Sequence, residues 1–351
     1  MQSSEISFAS DNHAGVDPKI LEAIVDANAG SAAAYGTDQI TSDARELFKQ
    51  AFGSSASAHW VFNGTAANVT ALKTLLEPWE SVICASSSHL HLDECAAPEA
   101  VGSFKLIPVD TPDGKLRPEH IEAHVIRRGD QHFAQPRVVS ITQPTEWGTL
   151  YSLTELEVIR DTCRNHGLLV HIDGARLSVA AAALNVSFRQ IAEASGATAI
   201  SFGGTKNGLL GCEAVILFSK EHSQRFRYLR KQCMQLPSKT RFIGAQFRAY
   251  LRDDYWRTLA LPSIHLAAKL SKEVSRLTHV KLRQVTEANS VFAVIPQRWN
   301  KPLKQTAFFY VWEEDTNTVR WMFSSQNSEA ELSTFTRALR ELDSRHLESE
   351  R

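Results

Sequence analysis

The fold of this chain is decided by one short stretch, Ile200-Ser201-Phe202-Gly203-Gly204-Thr205-Lys206-Asn207-Gly208. An apolar run over residues 197–202 leads into it, and a second apolar run over residues 214–218 follows. The pattern therefore predicts that Lys206 lies in a Gly-rich loop between two buried strands. Partial removal from water disfavours the charged ammonium and frees the amine as a nucleophile. A surface lysine in a Gly-rich turn explains this stretch equally well when it is taken alone.

The composition limits the classes of function. The chain has 351 residues, is 43% hydrophobic and 22% charged, and carries a formal net charge of -1. These values are typical of a soluble globular protein, and the net charge gives no electrostatic reason to expect nucleic acid or an anionic membrane as partner. No apolar run is long enough to span a bilayer, and the first five residues lack the features of a signal peptide. Five scattered cysteines without a CxxC motif indicate free thiols in a reducing compartment, so we expect a cytoplasmic protein.

Strands and helices alternate outward from the central stretch. Helices are predicted from Asp17-Pro18 to Gly30 and from Ser42 to Gly53, and further helices over residues 66–76 and 153–165 separate short apolar runs. Those runs predict strands at residues 59–62, 81–85, 104–109, 137–143 and 168–173. Continuous apolar strands joined by helices predict an α/β fold with a mostly parallel sheet covered on both faces.

The pattern changes after about Pro262. A helix is predicted over residues 265–277, then strands at 291–295, 308–312 and 319–323, and a last amphipathic helix over 328–342. We therefore predict an N-terminal arm over residues 1–15, a large domain over 16–260 and a small α+β domain over 261–351.

Two motifs could complement Lys206. The turn Asn63-Gly64-Thr65 lies between a predicted strand and a predicted helix, where free N–H groups suit a phosphate, although a plain helix cap is the simpler interpretation. Asp173 stands at the carboxyl end of a predicted strand, where open α/β sheets bind ligands. A carboxylate there could pair with the pyridinium nitrogen of pyridoxal phosphate (PLP), whose carbonyl a nucleophilic lysine would bind. Arg176 could bind a carboxylate or form a structural ion pair with Asp173.

Other polar groups are more ambiguous. The run from Ser88 to Cys95 contains His89, His91 and Asp93, and His89 could stack on an aromatic cofactor or act as a base. If this run were extended, alternate side chains would share a face and could together bind a metal ion. Because no other His or Cys cluster has matching spacing, we predict no metal. Arg320 could hold a substrate carboxylate. Arg241 could hold a phosphate or belong to a solvated turn.

Taken together and in order, the motifs make the chain resemble the threonine aldolase family. They cover nearly the whole chain from Phe8 onward: Phe8-Ala9-Ser10-Asp11-Asn12, Tyr35-Gly36-Thr37-Asp38-Gln39, Phe62-Asn63-Gly64-Thr65-Ala66-Ala67-Asn68, Asp93-Glu94-Cys95, Thr142-Gln143-Pro144-Thr145-Glu146, His171-Ile172-Asp173-Gly174-Ala175-Arg176 and Phe202-Gly203-Gly204-Thr205-Lys206-Asn207-Gly208. These are PLP-dependent enzymes of the aspartate-aminotransferase-like fold (fold type I). The chain is most similar to the bacterial low-specificity L-threonine aldolase and phenylserine aldolase branch.

The resemblance implies a role for each matching residue. Lys206 would hold PLP covalently and Asp173 would pair with its ring nitrogen. His89 would stack on the ring. Our hypothesis is that His89 also acts as the base, directly or through water, with Lys206 as the alternative. The cofactor phosphate would lie among Gly64, Thr65, Thr205 and Arg241. The substrate carboxylate would bind Ser10, Arg176 and Arg320, and Tyr35 would stand near the active site across the interface of a homodimer or homotetramer.

The implied reaction is the cleavage of a β-hydroxy-α-amino acid, such as threonine, allo-threonine or phenylserine, to glycine and an aldehyde. Other PLP reactions on the same scaffold, β-elimination or transamination, are the alternatives, and a non-catalytic protein that kept the fold is a third. Two residues depart from the family pattern: His13 stands where an aromatic residue is usual, and Trp147 where a smaller one is usual. Both are expected near the β-substituent of the substrate, so they leave the preferred substrate open.

Overall fold

The computed structural model describes residues 6–349, and its larger part is built on one seven-stranded sheet. The strand order is β1-β7-β6-β5-β4-β2-β3, and β7 runs antiparallel to both of its neighbours while the other pairs are parallel. The strands are β1 Ser57–Val61, β2 Glu80–Ala85, β3 Lys105–Val109, β4 Gln135–Thr142, β5 Leu169–Gly174, β6 Ala199–Gly203 and β7 Glu213–Leu217.

Ten helices accompany this sheet in the described part of the chain. They are α1 Pro18–Asp26, α2 Gln39–Phe52, α3 Gly64–Leu75, α4 His89–Leu92, α5 Pro118–Glu122, α6 Leu153–Asn165, α7 Leu177–Ala183, α8 Phe188–Ser195, α9 Lys220–Gln232 and α10 Arg241–Leu251. The prediction that the second helix begins at Ser42 is wrong by one turn. Asp38 caps that helix instead, because its carboxylate accepts a hydrogen bond from the Thr41 backbone N–H at 2.8 Å.

Both faces of the sheet are buried. Because successive side chains of a strand point to opposite faces, Ala199 and Ile200 of β6 belong to two different core clusters. One cluster contains packed aromatic rings, among them Phe48 and Phe247 with ring centroids 5.1 Å apart. This confirms the predicted α/β class with a mostly parallel, doubly covered sheet.

A second, smaller sheet forms the C-terminal part. Its four strands lie in the order β10-β11-β9-β8, and all three pairs are antiparallel. The elements are α11 Tyr255–Val274, β8 Lys281–Leu282, β9 Ser290–Val294, α12 Asn300–Thr306, β10 Tyr310–Glu313, β11 Thr318–Met322 and α13 Glu329–Ser349. The helix predicted over residues 265–277 begins ten residues earlier and continues through Pro262. The proposed domain boundary at residue 260 therefore lies inside a continuous helix.

The N-terminal arm packs on the small sheet. Residues 1–5 of the predicted arm lie outside the described residues. Phe8 is fully buried in the apolar cluster of the small sheet, its N–H donates to the Phe308 carbonyl at 2.8 Å, and its carbonyl accepts from the Met322 N–H at 2.8 Å. This pairing carries the next residues, Ser10 and Asp11, to the edge of the large sheet. Among residues 6–349, no helix has the length and apolar character to cross a membrane.

Candidate active site

A cavity of about 240 Å³ lies at the carboxyl ends of the large-sheet strands, between that sheet and the small one. Seven of the residues singled out in the sequence line it: Ser10, Gly64, His89, Asp173, Arg176, Lys206 and Arg320. Four do not: Tyr35, Thr65, Thr205 and Arg241. Residues 88–95 do not form the extended run that would favour a metal site, because His89 begins a short helix and His91 is exposed. No group of three or more metal-ligating side chains occurs in residues 6–349.

Lys206 stands on a single turn of 3-10 helix directly after β6. The loop is closed by hydrogen bonds from the Gly204 N–H to the Cys212 carbonyl at 3.0 Å and from the Cys212 N–H to the Thr205 hydroxyl at 3.1 Å. Gly203 is required because a Cβ there would lie 2.3 Å from the Ala175 carbonyl oxygen. The positive charge of Arg176, followed by burial, lowers the pKa of Lys206, which favours the nucleophilic amine. The sequence predicted burial as the cause of a lowered pKa of Lys206, but burial is the smaller of these two effects.

A buried network holds Asp173. Its Oδ1 accepts the Ala175 N–H at 3.0 Å, and its Oδ2 accepts the side-chain amide of Asn68 at 2.8 Å. The same Asn68 nitrogen donates to Glu94 Oε1 at 2.8 Å, and that oxygen is 3.1 Å from His89 Nδ1. The hydrogen bond to Glu94 raises the pKa of His89. Sequence reasoning missed Asn68, although it lies one helical turn after Gly64 and therefore on the same face of α3.

The two arginines of the cavity differ in their partners. Arg176 is paired with buried Asp11, with Nε 2.5 Å from Oδ2 and Nη2 3.0 Å from Oδ1. Burial would raise the pKa of Asp11, but the charge and hydrogen bonds of Arg176 outweigh it and lower that pKa. This pair was not predicted from the sequence, in which Asp173 was the alternative structural partner of Arg176. The carboxylate partner of Arg176 is thus already present in the protein.

Arg320, on β11, has no carboxylate at hydrogen-bonding distance among the described residues. Its Nη2 donates to the Ala9 carbonyl at 2.9 Å, while its Nε is buried without a partner in residues 6–349. The guanidinium lies 4.5 Å from the ring centroid of Trp312. Burial, and then repulsion from Arg176, lower the pKa of Arg320 to about 10. An anion in the cavity would relieve both effects.

The four predicted residues outside the cavity have other surroundings. Thr65 is in the first turn of α3, next to Gly64, and Thr205 closes the lysine loop. Arg241 Nη1 donates to the Gly30 carbonyl at 3.0 Å. Tyr35 is 54% exposed in a left-handed backbone conformation (φ 58°), with Lys231 Nζ 5.7 Å from its ring centroid.

Neither of the two departures from the family pattern lines the first cavity. His13 is hydrogen bonded to the Ser7 hydroxyl at 2.8 Å and stacks on Phe308 with ring centroids 6.3 Å apart. Trp147 lines a second cavity of about 480 Å³. Asp93 and Trp312 contribute to both cavities, so the second cavity adjoins the first.

Two buried carboxyl groups near the site were not singled out from the sequence. Glu146 lines the first cavity, and burial together with the charge of Asp173 raises its pKa to about 7. Glu213 on β7 lies behind the lysine loop, and burial raises its pKa to about 7 as well. Glu146 ends the motif Thr142-Gln143-Pro144-Thr145-Glu146, and Glu213 directly precedes an apolar run. Neither pattern indicates a buried carboxyl group, because the groups that bury them come from distant parts of the chain.

Known proteins resemble this chain over most of its length. The family model of the beta-eliminating lyases matches residues 7–297. A low specificity L-threonine aldolase of Pseudomonas aeruginosa is 41% identical over 286 residues, which are 81% of this chain and 83% of that protein. A second, from a Pseudomonas species, is 37% identical and covers 93% of this chain and 94% of its own length.

Solved structures agree with the sequence comparisons. The Leishmania major threonine aldolase superposes with a TM-score of 0.91 at 30% identity, covering 96% of this chain and 99% of that one. Identity of 37–41% over more than four-fifths of both chains, together with the family match, shows common membership. The chain therefore belongs to the threonine aldolases of the beta-eliminating lyase family.

Proposed function

We propose that the protein is a PLP-dependent lyase that cleaves L-threonine and related β-hydroxy-α-amino acids, such as allo-threonine and phenylserine, to glycine and an aldehyde. One observation carries the proposal: Lys206, Asp173 and Arg320 line one cavity, so that an amine nucleophile, a buried carboxylate and a half-buried cation without a carboxylate partner in the described residues face the same space. Relatives named as threonine aldolases support the same reaction.

The residues present fit PLP. Lys206 would hold its carbonyl carbon, Asp173 its ring nitrogen, and His89, 3.1 Å from Glu94, would stack on its ring. A Cβ built on Gly64 would meet no atom within 4 Å, so open space adjoins the start of α3, where the helix dipole favours a phosphate. Thr65 directly follows Gly64 and would also contact the phosphate. Thr205 and Arg241 do not line the cavity: Thr205 closes the lysine loop, and Arg241 is hydrogen bonded to the Gly30 carbonyl. PLP, when bound, draws electrons away from the Cα of an attached amino acid, so that a bond to Cα can break.

The protein would decide which bond breaks by orienting the substrate. Arg320 would offer its guanidinium to the substrate carboxylate, and Ser10 lines the same cavity. Arg176, neutralised by Asp11, adds a weaker positive field. Holding the carboxylate at Arg320 and the amino group near Lys206 fixes the rotation about the bond between the amino nitrogen and Cα. This rotation decides whether the bond from Cα to Cβ or another bond to Cα breaks.

We also propose that the protein acts as a homodimer or homotetramer. Tyr35 does not line the cavity of its own chain but is 54% exposed on the surface, which suits a side chain that completes the site of a second copy. A sedimentation mass equal to the 39.0 kDa of one chain would contradict this. The five free cysteines suit a cytoplasmic location.

The reaction is tested by incubating the PLP-loaded protein separately with L-threonine, L-allo-threonine and phenylserine. We expect glycine and the matching aldehyde in equal amounts, measured by chromatography and by an aldehyde-coupled dehydrogenase assay. Formation of a keto acid and ammonia would instead indicate β-elimination, and a keto acid with amination of the cofactor would indicate transamination. If no substrate yields glycine, the aldolase proposal fails.

A further inference from the structure

Glu146 carries a carboxyl group in the cavity and has no part in the cofactor or substrate binding proposed so far. It lies in the loop after β4 and lines the same cavity as Lys206 and Asp173. Its Oε1 accepts two hydrogen bonds, from the His89 backbone N–H at 2.8 Å and from the Thr142 hydroxyl at 2.9 Å. Its Oε2 is buried and has no hydrogen-bond partner among residues 6–349. One oxygen therefore fixes the group, and the other is left for a ligand or a proton.

No cation neutralises this carboxyl group at contact distance in the described residues. Five titratable groups face it: Cys84 on β2, His89 on α4, Tyr151 before α6, Asp173 at the end of β5 and Arg176 just after β5. Arg176 is the permanently charged cation of this set, and it is bound to Asp11. A carboxyl group that is buried and unpaired in this way holds or releases a proton near neutral pH, as its pKa of about 7 indicates.

His89, the base suggested by the sequence, is less suited to accept a proton. Its Nδ1 is engaged with Glu94 at 3.1 Å, and that hydrogen bond raises the pKa of the imidazole. A raised pKa favours the protonated ring, whereas the sequence-based hypothesis requires a ring nitrogen that is free to accept a proton. A protonated ring can still stack on an aromatic cofactor and donate a hydrogen bond.

We propose that Glu146 is the catalytic base that takes the β-hydroxyl proton of the substrate. This rests on the proposed function. The O–H bond breaks and its proton goes to Glu146 Oε2, while the C–O bond becomes the carbonyl of the leaving aldehyde. The Cα–Cβ bond breaks and its electron pair stays with Cα. Lys206 then delivers a proton to Cα to give glycine and regains one from water, while Glu146 releases its proton to water, so that atoms and electrons balance.

The test compares two reactions of the same PLP-loaded enzyme. Glu146→Gln keeps the shape and an oxygen acceptor for the His89 N–H, but it cannot take a proton. We expect kcat for threonine cleavage to fall about 100-fold or more, the usual loss for a general base. Exchange of the α-proton of glycine in D2O, followed by NMR, needs no β-hydroxyl proton transfer and should continue at the wild-type rate. Visible absorbance reports whether the variant still binds PLP.

The pH profile gives a second readout. Because Glu146 accepts a proton only when ionised, wild-type kcat/KM for threonine should rise with pH through about 7. In Glu146→Gln this rise should disappear. The matched control is Glu287→Gln, whose carboxylate accepts the Leu150 N–H at 2.8 Å outside the cavity, and it should keep both the rate and the pH rise.

Each outcome has one meaning. Loss of cleavage with retained glycine exchange supports the inference. Loss of both reactions together would show that Glu146 holds the site in shape and would overturn the inference alone. Full cleavage by Glu146→Gln, or an unchanged pH rise, would also overturn it. A wild-type enzyme that exchanges glycine but cleaves no β-hydroxy amino acid would overturn the proposed function and this inference with it.

Discussion

The two halves of the cavity are built on different principles. On the large-sheet side, Asp173 accepts hydrogen bonds on both oxygens and the Lys206 loop is closed by backbone hydrogen bonds. On the small-sheet side, Arg320 keeps a buried Nε without a partner in the described chain. Groups that are fully satisfied are held in place before any ligand arrives, whereas an unsatisfied buried cation gains most when an anion binds. Asp173 and the Lys206 loop therefore suit a resident cofactor, and Arg320 suits a carboxylate that enters and leaves.

The largest effect should come from the large-sheet half. Lys206→Ala removes the amine that would hold PLP, so we expect loss of the visible absorbance of the bound cofactor and a fall in threonine cleavage of about 1,000-fold or more. Lys105→Ala, at an exposed position on β3, is the matched control and should leave both unchanged. A Lys206→Ala protein with full turnover would contradict the central role given to this residue.

The next effect compares the two arginines through stability. Arg176→Ala leaves Asp11 buried without its partner, so the free energy of unfolding should fall by roughly 3–5 kcal/mol in urea titration. Arg320→Ala removes a desolvated cation whose one hydrogen bond is to a backbone carbonyl, so stability should change little. Replacing both partners, as in Asp11→Asn with Arg176→Gln, should recover much of the loss. Equal destabilisation by the two single variants would remove the distinction between them.

In the kinetics of threonine cleavage we expect the larger effect from Arg320, the arginine whose removal should change stability less. Arg320→Ala should raise KM for threonine and lower kcat/KM by a factor that corresponds to about 2 kcal/mol or more of transition-state stabilisation. The reason is that the bound substrate carboxylate would lose its charged partner. Arg320→Lys keeps the charge without the two-pronged geometry and should recover only part of this. An unchanged KM in Arg320→Ala would assign the substrate carboxylate to Arg176 instead.

The sequence was informative wherever one strand end carries the chemistry. Lys206, Asp173 and Gly64 each follow or end a strand of the large sheet, and the carboxyl ends of its parallel strands meet at one edge, so a linear pattern is enough to place them together. The α/β class follows from the same alternation of apolar runs and helices. Local chemistry shifted only the bounds, as where Asp38 rather than Ser42 begins α2.

Pairings between distant segments could not be predicted in this way. Asp11 and Arg176 are 165 positions apart, and Asn68 and Asp173 are 105 apart. Each pair forms because separate elements meet in three dimensions, and neither member has an unusual sequence neighbourhood. Glu146 escaped notice for the same reason, since its burial depends on residues from α4 and β5. The small-sheet half of the site, made of an arm and a strand more than 300 residues apart, is the extreme case.

The smallest effect is expected where the two halves meet. Trp147, in the loop after β4, packs against Phe292 and Trp312 of the small sheet, with ring centroids 5.2 and 6.2 Å apart. It lines the second cavity, which shares Trp312 with the first, so a phenyl group on Cβ would extend further toward these rings than the methyl group of threonine. An aromatic pair contributes about 0.5–1.5 kcal/mol beyond its buried area.

Trp147→Leu should therefore lower kcat/KM for phenylserine relative to threonine by about two- to tenfold, the range that this energy gives. The ratio of the two substrates is the measurement, because general damage to the site would lower both values together. Trp79→Leu, at a site 64% exposed and outside both cavities, is the control. An unchanged ratio would mean that the β-substituent stays within the first cavity. The two halves would then meet at Trp147 for packing alone, and the choice of aldehyde would have to be made by residues nearer to Glu146.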